Sequence, residues 1–190
     1  MGLRRVRTHA RIVDAAFDMF WRAGFARTSL DAIAERAAVT KRTLYAHFRS
    51  KDDLLAEVLQ HYAVLARQRM EEIGAGMPAD RDGFADALFA GLSAWHAAKP
   101  RWSGSGFTRL AAELADMPGH PARAIAAGHK AWVEKWYARR LRAAGVGRPA
   151  SKACELMLLV EGSMALTLIH GDRRYFAAAA AAAKALLARP

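Results

Sequence analysis

Apolar residues recur at helical spacing along most of the chain, and no segment shows the alternating spacing of a strand. Ile12, Val13, Ala16, Phe17 and Phe20 predict a first helix over about 4–23, which Gly24 ends. Thr28 followed by Asp31 reads as a capping pair with a shorter acid than usual, ahead of Leu30, Ile33, Ala34 and Ala37; this second helix ends near Ala38. Thr40 caps a third helix that turns Leu44 and Phe48 inward. Ser50 with Asp53 repeats the capping signature before Leu54, Leu55, Val58, Leu59, Tyr62 and Leu65, a long fourth helix over about 51–74.

The stretch GAGMPADRDG, residues 74–83, is the clearest break in the pattern. Beyond it, Phe84, Leu88, Leu92 and Trp95 mark a fifth helix, and Phe107, Leu110 and Leu114 a sixth. Ile125, His129, Trp132, Val133 and Trp136 mark a long seventh, with Pro100, Pro118 and Pro121 as punctuation. An eighth helix over about 151–169 is apolar around much of its circumference, and a ninth over about 173–188 is rich in alanine. A helix apolar on several sides needs more than one packing partner. In a chain of 190 residues a second copy is a natural one, so homodimerisation through 151–169 and 173–188 is expected. The expected fold is all-α, about nine helices.

Charge adds a location. The formal net charge is +11, and residues 1–51 hold eleven Lys or Arg against four Asp or Glu. Such a balance favours a polyanionic partner, and most of the excess sits in the first quarter of the chain. Cys154 is the single cysteine, so no intrachain disulfide forms; beside Leu156 and Met157 it reads as an inert buried thiol, and a reducing cytoplasm is expected. The N-terminal segment lacks the apolar stretch of a secretory signal. The longest strongly apolar run near the C-terminus, Leu156–Val160, is too short to cross a bilayer, and no membrane role is expected. His96, His120, His129 and His170 lack metal-ligand spacing, and no Gly-rich phosphate loop or nucleophile elbow is present. Ser103, Ser105 and Glu113 read as a loop and a helix acid, so neither catalysis nor a cofactor or metal is expected.

Residues Thr28–Leu55 set two short helices across a three-residue turn, and the second presents Lys41, Arg42, Thr43, Ala46 and His47 outward. This is helix-turn-helix geometry. A helix entering the major groove needs long hydrogen-bonding side chains near its N-terminus and small residues where the backbone comes close. Lys41, Arg42 and Thr43 meet the first need and Ala46 the second.

The pattern Val39, Thr40, Thr43, Leu44, Tyr45, His47, Phe48, continuing through Ser50, Lys51 and Leu54, resembles the N-terminal domain of the TetR family of transcriptional regulators over about residues 8–60. The resemblance implies a helix-turn-helix DNA-binding domain over 1–52, the fourth helix as connector, and a larger effector-binding and dimerisation domain over 53–190. It also implies a DNA-binding set in which Thr28, Ser29, Tyr45 and Lys51 contact phosphates, Lys41, Arg42 and Thr43 read bases, Thr40 takes part beside them, and His47 faces either phosphate or a base edge. Where the family usually has glycine in the turn this chain has Ala38, and a left-handed backbone there costs on the order of 1 kcal/mol. Arg4, Arg5 and Arg7 read equally as DNA contacts or as a solvated tail.

Further along, Trp95, Trp102, Phe107, Trp132, Trp136 and Met157 line an apolar or aromatic effector cavity or else simply fill the core. The function that follows is a sequence-specific dimeric regulator, a repressor that a small molecule releases from a palindromic operator. A nonspecific nucleic-acid binder and a small helical enzyme are the alternatives, the latter without any acid, base or nucleophile constellation to support it.

Overall fold

A computed structural model describes residues 2–98 and 104–189. Among them the elements are all helical: α1 (Leu3–Ala23), α2 (Leu30–Arg36), α3 (Lys41–Tyr45), α4 (Lys51–Ala75), α5 (Arg81–Ala97), α6 (Gly106–Glu113), α7 (Pro121–Ala143), α8 (Pro149–His170) and α9 (Arg174–Ala188). Helix positions agree with the periodicity, with two informative differences. Ser29 caps α2, its hydroxyl accepting from the Ala32 amide at 3.1 Å. Thr28, one residue earlier, is buried and donates its hydroxyl to the Gly24 carbonyl at 2.7 Å. The break at 74–83 is also shorter than its composition suggests, because Gly74 lies inside α4 and residues 81–83 inside α5, whose Asp80 cap accepts from the Gly83 amide at 2.7 Å. Gly74 is there for close approach, since a Cβ at that position would lie 2.5 Å from the Trp136 ring.

The chain forms two units, Met1–Ala66 with Gly106–Gly128, and Arg67–Ser105 with His129–Pro190. This differs from a division at residue 52. Phe107, Leu110 and Leu114 of the α6 segment join Ile12, Ala16, Phe20, Phe25, Ile33, Leu44, Phe48, Leu55 and Leu59 in the core of the first unit. Helical periodicity tells which side of α6 is apolar but not which core receives it. α4 and α7 contribute residues to both units.

In the second unit Phe84, Leu88 and Phe89 of α5 pack with Val133, Trp136 and Tyr137 of α7, with Leu156, Val160 and Met164 of α8, and with Phe176, Ala183 and Leu187 of α9. Alanines at 179 and 183 let α9 lie close to its neighbours. The opposite side of α8 leaves Leu158, Leu166, Leu168 and Ile169 exposed. By length and mean hydropathy (1.4) α8 is apolar enough to cross a membrane, more so than the run Leu156–Val160 suggests, although Leu156, Val160 and Met164 are held in a protein core. Cys154 is exposed and not buried; it lies on the face of α8 away from that core.

Candidate nucleic-acid interface

The first unit builds its outer edge from α2, the turn after it, and α3. At the turn Ala38 takes a left-handed backbone, φ 50°. Arg11 on α1 holds it, donating from Nη2 to the Ala37 carbonyl and, at 2.8 Å, to the Ala38 carbonyl. Thr40 then starts α3, accepting from the Thr43 amide at 3.1 Å. Leu44 and Phe48 are buried and anchor the helix, and this fixes which side chains face out.

Lys41, Arg42, Tyr45 and Ala46 are exposed, while Thr43 and His47 are half-buried. Lys41 forms an ion pair with Asp31 at 2.8 Å, and the hydrogen bond to that carboxylate raises the pKa of the ammonium. Arg42 has no carboxylate partner among the described residues, which leaves its guanidinium fork available for bidentate hydrogen bonding. The Thr43 hydroxyl lies 2.8 Å from that of Thr40. His47 packs edge-on against His9, and burial, then the charges of His9 and Arg5, lower its pKa; at neutral pH it offers one donor and one acceptor.

Two expected phosphate ligands have other duties. Thr28 is 2% exposed and its hydroxyl is occupied, so its side chain does not reach the outer edge. Lys51 donates to the carbonyls of Phe25 at 2.8 Å and Thr28 at 3.0 Å, with its ammonium 4.2 Å over the Phe25 ring. It holds the connection between α1 and α2. Ser29 remains exposed at its cap position.

Other residues on which this edge depends escaped the pattern. Arg11 carries no capping or motif signal in the sequence. Glu113, on α6, accepts from the Phe25 amide at 2.7 Å, and Arg109 donates to the Phe20 carbonyl at 2.6 Å. No sequence signal joins positions nearly ninety residues apart.

The effector candidates do not gather in one cavity. Phe107 belongs to the core of the first unit, not to the second. Trp136 is 1% exposed and donates its indole N–H to Glu71 at 2.9 Å; it is core. Trp132 is half-buried beneath the guanidinium groups of Arg67 (5.4 Å) and Arg139 (5.8 Å), and Trp95 and Met157 are half-buried against the second core. Trp102 lies outside the described residues, as does Ser103. Two clefts of the second unit, about 460 and 120 Å³, are lined by other residues, among them Arg81, Gly145 and Arg189 in the first and Met77, Phe84 and Arg140 in the second. Among the described residues no three His, Cys, Asp or Glu side chains gather as metal ligands.

Comparison with known proteins agrees with this geometry. Residues 12–58 match the family described as bacterial regulatory proteins, tetR family. The chain is 34% identical over 130 residues to the HTH-type transcriptional repressor SCO4008 of Streptomyces coelicolor, covering 63% of this chain and 62% of that protein's length. Over 52 residues it is 44% identical to the HTH-type transcriptional regulator TtgR of Pseudomonas putida, covering 27% of this chain and 25% of the regulator. The fold is that of SCO4454, a TetR-family transcriptional regulator from Streptomyces coelicolor (TM-score 0.83, 24% identity, 96% of this chain and 95% of that one). It is also that of reduced NemR from E. coli (TM-score 0.80, 20% identity, 96% of this chain and 98% of that one). With its helix-turn-helix set by Ala38, Thr40 and the buried Leu44, the segment 12–58 is similar to the tetR family of bacterial regulatory proteins, and the fold of the chain is the one its structural neighbours share.

Proposed function

We propose that this protein is a sequence-specific transcriptional regulator, a repressor that binds a palindromic operator as a homodimer and leaves it when a small apolar or aromatic molecule binds the second unit. The observation that carries the reading is α3: a five-residue helix capped by Thr40, anchored by Leu44, with Arg42 exposed at its N-terminal turn and without a carboxylate partner among the described residues. An arginine so placed in a major groove pairs most often with guanine, a contact worth about 1–3 kcal/mol of discrimination. Lys41 and Thr43 complete the base-reading set, and Ser29, Tyr45 and the half-buried His47 supply polar contacts around it.

Dimerisation follows from α8 and α9. Leu158 and Ile169, 70% and 71% exposed, share the outer side of α8 with Leu166, and α9 adds the exposed alanines at 177, 181 and 185. A contiguous apolar face of this kind is stable in water when a second copy covers it. Two copies would then set two α3 helices about one DNA turn apart, roughly 34 Å. The name of SCO4008 as a repressor supports the sign of regulation. Effector binding in the second unit would act through α4, and a coupling of about 1–3 kcal/mol would change operator affinity roughly 5- to 150-fold. The setting of such a regulator is the cytoplasm, without catalysis.

The test is selection from a random duplex library with purified protein at fixed salt. A consensus with two-fold symmetry supports the reading. Retention that depends only on salt, with no consensus, rejects it in favour of nonspecific binding, because phosphate contacts alone carry no sequence information.

A further inference from the structure

Beside the base-reading helix the first unit carries a second basic surface. α1 is helical from Leu3, so Arg4, Arg7 and Arg11 stand at helical spacing on one side of its first turns and not on a loose arm. They line a groove of about 520 Å³ whose other wall is Ala38, Thr40 and Thr43, the turn and the start of α3. The three arginines differ in what they do. Arg11 is bound to the turn carbonyls. Arg4 and Arg7 are exposed and have no carboxylate partner among the described residues. Across the groove the hydroxyls of Thr40 and Thr43 lie 2.8 Å apart and share one hydrogen bond, so one of their two O–H groups is left to donate outward. Two unpaired guanidinium groups facing a free hydroxyl donor make a surface that takes an anion with several acceptor oxygens.

We infer that this groove is a phosphate-binding track for the DNA backbone next to the bases that α3 reads, with Arg4 and Arg7 as its cationic ligands. The argument for DNA as the occupant is continuity: Thr40 and Thr43 belong both to the groove and to the recognition helix, so a duplex held by α3 brings its own backbone to the same wall. The inference rests on the proposed DNA-binding function and extends the interface from α2 and α3 onto α1. It assigns positioning to Arg4 and Arg7 and leaves base preference to Arg42.

Salt dependence reads this directly. Each neutralised phosphate contributes about 0.9 to the slope of log K against log salt concentration on duplex DNA. A dimer lacking Arg4 and Arg7 loses four such contacts, so Arg4→Ala/Arg7→Ala should lower the slope by about 3 to 4, on consensus and scrambled duplexes alike, with the selected consensus unchanged. The double variant Arg4→Lys/Arg7→Lys keeps the point charges and should restore most of the slope. Both positions are exposed, and a thermal unfolding curve like that of the parent confirms that the fold is intact. An unchanged slope in the alanine variant overturns the inference. So does a loss that varies with the A·T content of the flanks, which would place the arginines in a minor groove. Arg42→Ala, run alongside, separates the two levels: if it relaxes the consensus while the alanine variant keeps the full slope, the inference fails and the proposed function stands.

Discussion

Removing the Glu113 carboxylate should loosen the helix-turn-helix from a position far outside it. The carboxylate accepts from the Phe25 amide at 2.7 Å and, at the long limit of a hydrogen bond, from the Ala26 amide at 3.4 Å. It lies against Gly24, whose backbone is left-handed at φ 89° and where a Cβ would meet Glu113 oxygens at 2.9 Å. Phe25 is only 6% exposed and its hydrogen bond to Glu113 is part-buried, so water replaces the lost acceptor incompletely. A hydrogen bond to a charged acceptor contributes about 1.5–3 kcal/mol, and leaving the buried amide unpaired brings Glu113→Ala to the upper part of that range. The 3.4 Å contact adds little. Glu113→Gln keeps an acceptor oxygen without the charge and should cost about 1 kcal/mol. Urea unfolding gives the global loss, and hydrogen exchange gives the local one: protection of the Phe25 amide should fall in the alanine variant and persist in the glutamine variant. A cost below about 0.5 kcal/mol for Glu113→Ala, or an unaltered Phe25 exchange rate, would refute the assignment of α6 as a support of the helix-turn-helix edge.

Three further outcomes follow from individual residues. His129 is buried, and its surroundings, chiefly burial and then Lys130 and Arg67, push its pKa down to about 4. The folded protein keeps it neutral while the unfolded chain takes up a proton below about pH 6.5, so stability is unaffected above that pH. It falls by roughly 1.4 kcal/mol per unit as pH drops toward 4. Urea titrations at pH 7, 6 and 5 should show this slope, and it should flatten in His129→Gln. Ala38→Gly relieves a left-handed alanine, worth about 1–2 kcal/mol, against the added entropy of glycine in the unfolded chain. A net gain of about 0.5 kcal/mol in urea unfolding is expected, and a loss would contradict the strain assigned to the turn. Leu158→Glu/Ile169→Glu should convert the sedimenting species from dimer to monomer at micromolar concentration, whereas an unchanged dimer would place the interface elsewhere.

Much of the fold is visible in the pattern because helical spacing, caps and breakers are local signals. Thr40 with Leu44 and Phe48 fixes the register of α3, and the register decides that Arg42 faces out. What local signals miss is partner choice. Thr28 and Ser29 are both good caps, and only the nearby Gly24 carbonyl, which takes the Thr28 hydroxyl, selects Ser29. Phe107 reads equally well as a wall of a ligand cavity or as core, and the fold gives it to the core of the first unit. Cys154 sits among apolar neighbours in sequence, yet a helix separates adjacent residues by about 100°, which carries it to the exposed side while Ala153 and Leu156 are buried. Lys51 belongs to the resemblance as a DNA contact, but in space two backbone carbonyls claim its ammonium. A ligand cavity is the least legible feature, since Trp95, Trp132, Trp136 and Met157 are apolar residues whose spacing suits packing as well as binding, and the fold packs them in or against the second core.

The central claim, that α3 reads bases through Arg42, is tested most directly by equilibrium competition. Wild-type protein and Arg42→Ala would be titrated at one salt concentration against the selected operator, each singly substituted operator and scrambled duplex. Wild-type protein is expected to prefer the operator over scrambled duplex by at least about 1,000-fold. Arg42→Ala is expected to lose about 1–3 kcal/mol of that preference at one symmetry-related position, a guanine in each half-site, with the other positions still discriminated. Equal affinity of the wild-type protein for operator and scrambled duplex, or an Arg42→Ala variant weakened uniformly at every position, would contradict the account.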